Sequence, residues 1–284
     1  MLKVSESVEA QKKMGEKIIA IVIAVAVIAF AVYGAWDFAT HGFGWSFGAF
    51  ILSIIAIILP ISAILWILGT IFFFMELAGY TFTFPKFKII RQRIKWDSMD
   101  VAIAGLVAAV YGGGLAATGG LVIIPGATWI RPANSLTPVF GVLFGIPGAL
   151  GTAIGNFIAD SLAGFLGLGS LGGFVGNFIL AYIPYKFMTD HSLRTGKSWA
   201  EFYFWGVLIN SIWCSAYISF TTYILLQLGL TGMPFEVIWG WFFPFVIVNN
   251  AIVTAFISGI LIYVLEPIVK QWGLFWQDRI EFIE

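Results

Sequence analysis

The feature that most constrains this chain is a set of long apolar runs without charge. Residues 47–75 contain no Asp, Glu, Lys or Arg across 29 positions, whereas about 20 apolar residues suffice for a helix to span a membrane. The chain is 60% hydrophobic and only 11% charged, against roughly 25% charged residues in soluble domains. The runs are continuous rather than alternating, which excludes a β-barrel. The sequence therefore predicts an all-α polytopic membrane protein.

Other classes of protein are excluded by composition and by motifs. The net charge of +0 offers no basic surface to a nucleic acid, and the single Cys214 excludes a disulfide framework or a cysteine-rich metal site. The first 17 residues are too polar and acidic for a secretory signal peptide, so the first apolar run is predicted to be a retained anchor. No zinc-protease, serine-hydrolase or phosphate-loop motif occurs. We therefore expect no catalytic residues, no metal, no cofactor and no enzymatic activity.

Seven apolar stretches divide the chain, and one of them is ambiguous. The stretches are 18–36, 47–75, 99–118, 135–165, 170–188, 201–228 and 235–265. Pro60, near the middle of the second, predicts a kink or a strong tilt. The 31 residues of the fourth stretch can form one long tilted helix, or two helices broken at Ile146-Pro147-Gly148.

The distribution of positive charge chooses between these two interpretations, because cytoplasmic loops are enriched in Lys and Arg. With two helices there are eight spans, and 14 of the 15 Lys and Arg residues lie on one side. With one helix there are seven spans, which divide these residues nine against six. We therefore predict about eight helices in the cell membrane and both termini in the cytoplasm. The turn at Pro147-Gly148 is predicted near the cytoplasmic face.

Loop lengths and charge suggest four parts. Residues 1–79 form an N-terminal two-helix extension, and 80–97 form a basic cytoplasmic linker with five Lys and Arg residues. Residues 98–266 form a six-helix membrane domain. Apolar residues at helical spacing predict that 267–284 is an amphipathic cytoplasmic tail, helical on the membrane surface or docked on a partner.

Three motifs in the second half of the chain are shared with a known family. The first is the third span, DSMDVAIAGLVAAVYGGG. The second is an outer loop that leads into a Pro-Gly turn and a Gly-rich helix, IPGATWIRPANSLTPVFGVLFGIPGALGTAIGNFIAD. The third closes the next span, GNFILAYIPYKF. In order and spacing this sequence resembles the substrate-binding (S) component of energy-coupling-factor (ECF) transporters from about residue 98 onward. The family has six spans, so the two N-terminal helices are extra.

The resemblance implies a transmembrane coupling subunit as partner, together with separate ATPase subunits. The family packs small residues of its first helix on that subunit, and Ala104, Gly105, Ala108 and Ala109 fit the spacing. Small side chains four residues apart let two backbones approach closely in lipid. The alternative is that these residues pack against helices of the same chain.

Polar residues within the predicted spans are candidates for binding a small molecule, since burying them in a membrane is costly. Asp160 is the only acidic residue deep in a span between Asp100 and Glu266, and Asn156 lies one turn away on the same face. Asn177, Asn210, Asn249 and Asn250 place amides in other spans, and Asn134 ends the outer loop; of these we assign Asn134, Asn177 and Asn249 to the site. The alternative is a structural clamp in which these groups satisfy one another.

The outer loop and the aromatic residues supply the remaining candidates. Arg131 is the only basic residue predicted outside, and its guanidinium can bind a carboxylate or phosphate in a bidentate manner. Trp129 precedes it and can stack on a ring. Tyr217, Trp239 and the neighbouring Trp241 lie at middle to outer depth, and we assign the first two to the site. Membrane-interface aromatics are the alternative.

These observations predict a membrane-embedded substrate-binding subunit of an ECF-type importer for a vitamin or similar micronutrient. Separate ATPase subunits would supply the energy. A non-transporting scaffold subunit of a larger membrane complex is the alternative, which the two extra helices and the tail favour. An intramembrane enzyme is a third class, for which no catalytic constellation is present.

Overall fold

The computed structural model describes residues 2–93, 96–118, 122–124, 128–279 and 281–283. Within these residues the chain is mostly helical, as the apolar runs predict. Six helical stretches are long and apolar enough to cross a membrane: Glu9–Gly44, Ile55–Leu77, Ser98–Thr118, Pro132–Leu162, Gly196–Gln227 and Phe235–Arg279. The predicted class, an all-α polytopic membrane protein, is confirmed.

The helices run between two opposite faces of the bundle. The terminal face carries 78–93, 96–97, 188–195, 272–279 and 281–283, and the distal face carries 42–45, 163–168 and 228–234. Contacts between distant segments define each face. On the terminal face the rings of Tyr185 and Trp276 lie 4.7 Å apart. On the distal face Trp45 donates its indole N–H to the carbonyl oxygen of Gly240 at 2.9 Å.

The N-terminal extension is a helical hairpin. It consists of α1 (Leu2–His41), α2 (Ser46–Ser53) and α3 (Ile55–Leu77), with the turn Gly42–Gly44 between α1 and α2. The second apolar run is broken at Ile54, where φ is −111° and ψ is 18°. Pro60 lies inside α3, on the C-terminal side of the break. A proline lacks the N–H that would bond to the carbonyl four residues earlier, here that of Ala56 in the first turn of α3.

The ambiguous stretch folds as two antiparallel half-helices. α4 (Ser98–Thr118) is followed, after the loop, by α5 (Leu136–Leu162), which reverses at Gly145 with φ 62° and ψ −134°. A Cβ atom built on Gly148 would collide with the carbonyl oxygen of Phe140, although residues eight apart in a straight helix are about 12 Å apart. The turn next to Pro147-Gly148 is therefore confirmed.

The second half of α5 runs parallel to α4 in close backbone contact. A Cβ atom on Gly151 would lie 2.8 Å from the carbonyl oxygen of Ala104, and one on Gly155 would lie 2.8 Å from that of Ala108. Such spacing requires glycine on one helix and small residues on the other. We call this contact between Ala104, Ala108, Gly151 and Gly155 the glycine seam.

The remaining helices complete the bundle. They are α6 (Gly169–Phe187), α7 (Gly196–Glu201), α8 (Asn210–Gln227), α9 (Phe235–Val237), α10 (Phe243–Val253), α11 (Gly259–Gln271) and α12 (Trp276–Arg279). Three π-helical segments join α7 to α8, α9 to α10 and α10 to α11: Phe202–Ile209, Ile238–Phe242 and Thr254–Ser258. π-helical segments often occur at functional sites because they change which side chains share a face.

The terminal face carries a small antiparallel sheet that the sequence analysis did not anticipate. β1 (Tyr80–Thr83) pairs with β2 (Lys88–Arg93), which pairs with β5 (Glu281–Ile283). β3 (Val122–Ile124) and β4 (Thr128–Trp129) form a separate pair in the distal loop. The helix expected in the tail is interrupted: α11 ends at Gln271, the chain turns at Gly273 with φ 65°, and the short α12 (Trp276–Arg279) precedes β5.

The extension covers one side of the six-helix region and leaves α4 uncovered. α1 packs against α7 and α10, and α3 packs against α8 and α6. Polar contacts join α3 to α8: the Trp213 indole N–H donates to the Leu65 carbonyl oxygen at 2.8 Å. The opposite sides of α1 and α3 are apolar and exposed, as at Ile21, Val25 and Ile57. These sides suit contact with lipid.

Candidate binding cavity

A cavity of about 360 Å³ lies between α5, α6, α8 and α10. This volume falls in the range of small-molecule sites. Its walls combine side-chain amides, one acid, one base and aromatic rings. The lining residues are Arg131, Asn134, Asn156, Asp160, Gly169, Gly173, Asn177, Leu180, Cys214, Ile218, Trp241, Phe242, Phe245, Val246, Asn249 and Asn250.

Asn134 anchors the floor of the cavity. Its side-chain N–H donates to Asn250 Oδ1 at 2.7 Å, and its Oδ1 accepts from the Tyr111 hydroxyl at 3.1 Å. Tyr111 also contacts Asn177 Oδ1 at 2.5 Å, and Asn177 Nδ2 donates to the Gly173 carbonyl oxygen at 2.8 Å. Asn177 lies near the middle of α6, so the floor lies near mid-depth of the bundle.

The distal loop reaches this depth because α5 begins within the bundle. Pro132–Ser135 form a 3₁₀ turn, and the Ser135 carbonyl oxygen accepts a 2.6 Å hydrogen bond from Ser258 in the last π-helical segment. The first half of α5, from Leu136 to the reversal at Gly145, is about 14 Å long at 1.5 Å per residue, half of a membrane span. The cavity occupies the space between this short helix and the distal face.

Asp160 and Asn156 lie on the wall formed by α5, as the four-residue spacing predicts. Asn156 Nδ2 lies 3.4 Å from Asp160 Oδ2. Gly173 on α6 faces them, and a Cβ atom there would lie 2.8 Å from Asn156 Nδ2. Glycine at this position therefore leaves the polar side chains free to face the cavity.

Arg131 lies where the distal loop meets α10. Its backbone N–H donates to Asn249 Oδ1 at 3.3 Å, and its side chain lines the cavity. Within the described residues, neither Arg131 nor Asp160 forms an ion pair. The cavity thus contains one group of each charge that is not neutralised by a close protein partner.

α10 and the π-helical segment before it supply an aromatic wall. Its lining residues come in adjacent pairs repeated every four positions: 241–242, 245–246 and 249–250. Four residues make about one helical turn, so the pairs share one face. The rings of Trp241 and Phe245 stack 5.3 Å apart with an interplanar angle of 1°. The Trp241 indole N–H is buried and has no hydrogen-bond partner among the described residues.

The structure brings six of the nine predicted binding residues to the cavity: Arg131, Asn134, Asn156, Asp160, Asn177 and Asn249. It places Tyr217 and Trp239 elsewhere. Tyr217 turns toward the extension, with its hydroxyl 2.9 Å from Thr70 Oγ1 and its ring stacked on Trp66. Trp239 is fully buried among apolar residues between α2 and α8. The side chain of Trp129 lies outside the described part of the chain.

Some lining residues were missed by the sequence analysis. Asn250 and Trp241 lie outside the predicted site although they neighbour assigned residues, and from the sequence Cys214 is only a lone cysteine. The sequence signal for these residues is the adjacent pair Asn249–Asn250. Counting back by four residues from this pair leads to 245–246 and 241–242, which line the same wall. Asn210, by contrast, is a structural clamp whose side-chain N–H donates to the Leu180 carbonyl oxygen at 3.1 Å.

The small residues of α4 divide between two faces. Ala104 and Ala108 are buried in the glycine seam, so they contact helices of this chain. Gly105 and Ala109 are exposed on the uncovered side of α4, and a Cβ atom on Gly105 would meet nothing within 4 Å. Of these four residues, Gly105 and Ala109 are therefore the two that another protein could contact.

The fold and the cavity together define a polytopic membrane protein with a polar cavity in the size range of small-molecule sites. A family model described as QueT transporter matches residues 101–267. The chain belongs to this family, which is a family of ECF S components, and the resemblance inferred from the motifs is confirmed. No match was found among curated proteins or among solved structures. The matched region begins in α4, so the two-helix extension lies outside it.

Proposed function

We propose that this protein is the substrate-binding subunit of an ECF-type importer and captures a small polar molecule, a vitamin or similar micronutrient. Separate ATPase subunits, connected through a transmembrane coupling subunit, supply the energy. The protein lies in the cell membrane with both termini in the cytoplasm, so the distal face is external. The observation that carries the proposal is the cavity of about 360 Å³ at mid-depth.

The chemistry of the walls favours a ligand with both hydrogen-bond donors and acceptors. Amide side chains offer both kinds of group, and five asparagines line the cavity: Asn134, Asn156, Asn177, Asn249 and Asn250. Arg131 adds a positively charged hydrogen-bond donor, and Asp160 adds a carboxyl acceptor. Neither forms an ion pair within the described residues. A polar ligand that pairs with these groups lowers the cost of burying them.

The proposed docking surface for the coupling subunit is the uncovered side of α4. Gly105 and Ala109 are exposed there, and the extension packs on the other side of the six-helix region. The family match begins at residue 101, inside α4. In this proposal 1–79 is an added membrane unit, 98–266 is the S-component domain, and 80–97 and 267–284 are cytoplasmic.

Native mass spectrometry of gently purified protein tests the proposal. We expect a fraction of the protein to carry one additional small molecule, which is released and identified after denaturation. Calorimetric titration with that molecule should give one site per chain. Protein that never retains a molecule, from any growth medium, and lacks a coupling subunit after co-purification would contradict the proposal.

A scaffold role is the second candidate. The observation that favours it is the sheet on the terminal face, which joins the tail to the linker and gives the protein a cytoplasmic surface outside the matched family region. Co-purification discriminates between the two functions. A coupling subunit and ATPases support the importer, whereas a stable complex with other membrane proteins and an empty cavity supports the scaffold.

A further inference from the structure

The corner between α1 and α2 lies directly behind the aromatic wall of the cavity. Phe38, which is 2% exposed, contacts both stacked rings of that wall. Its ring centroid lies 6.0 Å from that of Trp241 and 5.3 Å from that of Phe245. The extension therefore supports, from the outside, two side chains that line the cavity on the inside.

Three more contacts fix the same wall to the corner and to the start of α2. The Trp45 indole N–H donates to the Gly240 carbonyl oxygen at 2.9 Å, within the π-helical segment that carries Trp241. The exposed ring of Phe43 stacks on Trp241 at 5.1 Å. A Cβ atom on Gly48 would collide with the Gly240 carbonyl oxygen, so α2 touches the backbone of this segment.

The corner itself is held by a buried carboxylate. Asp37 is fully buried, and its oxygens accept from the Phe47 backbone N–H at 3.0 Å and the Ser46 hydroxyl at 3.3 Å. Oδ1 also lies 2.9 Å from His41 Nδ1. These contacts close the turn and satisfy backbone donors at the start of α2. The corner is thus a preorganised element rather than a loose connection.

We propose that the N-terminal extension is part of the binding apparatus, because its corner, through Phe38, Phe43 and Trp45, positions Trp241 and Phe245 and so sets the shape of the cavity. The part of this inference that concerns substrate affinity rests on the proposed function. The part that concerns the wall does not, since it follows from the contacts between the extension and α10.

Cys214 provides a test that needs no substrate. It is the only cysteine of the chain, it lines the cavity and it is buried. The rate at which N-ethylmaleimide modifies Cys214 in the folded full-length protein therefore reports access to the cavity. We expect Phe38→Ala to raise this rate by about tenfold or more, because its loss leaves both wall rings without packing on one side. Phe43→Ala should raise it less.

Phe73→Ala is the matched control. Phe73 also belongs to the extension and is 8% exposed, but it packs on Phe178 at 5.1 Å, away from the cavity. This variant should lower thermal stability as Phe38→Ala does, without changing the modification rate by more than about twofold. Phe38→Leu should stay close to the wild-type modification rate, since leucine fills most of the space that Phe38→Ala leaves empty.

Equal rates for the wild type and for Phe38→Ala would overturn the inference, as would equal increases in Phe38→Ala and Phe73→Ala. If the rate responds as expected, affinity for the molecule identified in the wild-type protein is measured next, and it should fall in Phe38→Ala alone. A changed modification rate in a protein that retains no molecule would contradict the proposed function and support the role of the corner.

Discussion

Two of the clusters of buried polar side chains in this bundle are built in opposite ways. The cavity cluster surrounds a space of about 360 Å³, and its charged members lack ion-pair partners among the described residues. The second cluster, formed by Glu76, Thr81, Tyr182 and Lys186 near the terminal face, consists of side chains in direct contact. There Glu76 Oε1 accepts from Tyr182 at 2.7 Å and from Thr81 at 2.5 Å, and Lys186 Nζ lies 3.7 Å away.

The surroundings of a buried polar group in a membrane protein thus indicate whether it is a structural clamp or part of a binding site. In the terminal cluster the side chains pair with one another through Glu76 Oε1, while Glu76 Oε2 is buried without a hydrogen-bond partner among the described residues. These contacts join α3 of the extension and β1 of the linker to α6. In the cavity the amides are partly paired, and the remaining capacity faces an open space. A structural clamp should therefore respond to substitution through stability, and a binding site through affinity.

The largest expected effect is on stability, from breaking the terminal cluster. Lys186→Met leaves Glu76 buried without its cation, and removing one member of a buried ion pair typically costs about 3–5 kcal/mol. Glu76→Leu combined with Lys186→Met removes both charges and should regain much of that loss. Chemical unfolding of the two single variants and the double variant measures the coupling. Additive losses in the double variant would show that the two side chains do not act as a pair.

The next effect separates the two faces of α4. Ala104→Leu with Ala108→Leu should destabilise the protein by about 1–3 kcal/mol per site, because the glycine seam has no room for larger side chains. Gly105→Leu with Ala109→Leu should leave stability nearly unchanged and abolish co-purification of the coupling subunit. Thermal unfolding and pull-down of both variants check this. Partner binding that survives Gly105→Leu with Ala109→Leu would place the docking surface elsewhere.

Substitutions in the cavity should act on affinity and spare stability. Asp160→Asn and Arg131→Gln keep size and hydrogen bonding but remove the charge. Each should weaken binding of the retained molecule by about 1–3 kcal/mol, the usual cost of a lost charge-assisted contact. Calorimetric titration gives the affinity, and thermal unfolding without ligand gives the stability. Unchanged affinity with a large drop in unliganded stability would make Asp160 a structural clamp like Glu76.

The sequence predicts the helices and the reversal of α5 because these depend on local signals. Continuous apolar runs mark the spans, and Pro147-Gly148 together with the distribution of Lys and Arg marks the turn. The four-residue spacing also brings Asn156 and Asp160 together. Each of these inferences needs only residues that are close in the chain, or charges counted along it.

The remaining features depend on contacts between distant segments. β5 pairs with β2 across almost 200 residues, and neither strand carries a strong local strand signal. α4 has small residues on both of its faces, so spacing alone does not decide between Ala104 and Gly105. Trp239 and Trp241 lie on opposite sides of one helix. Only the packing of Trp239 against α2 shows that Trp241 is the one that faces the cavity. Tyr217 is drawn away from the cavity by Thr70 of the extension, which has no counterpart in the six-span family pattern.

The smallest expected effect concerns pH and lies outside both clusters, on the terminal face. His191 is buried in the loop between α6 and α7, with Nε2 2.9 Å from the Tyr185 carbonyl oxygen and its ring edge-on to Trp276 at 5.4 Å. Burial lowers the pKa of His191 below its ordinary value of 6.5, although the carbonyl and the nearby Asp190 and Glu201 oppose the shift. The folded protein therefore keeps this imidazole neutral at a pH where the unfolded chain binds a proton.

The direction in which stability changes with pH follows from this difference in proton binding between the folded and unfolded chains. The stability associated with neutral His191 is fully present above pH 6.5 and is lost as the pH falls from there toward the lowered pKa of the folded state. One proton limits the slope to at most about 1.4 kcal/mol per pH unit. His191→Gln removes the titration while keeping a donor for the Tyr185 carbonyl, so its stability should depend less on pH between 7.5 and about 5.5. Identical pH profiles for His191→Gln and the wild type would show that the loop does not couple to this proton.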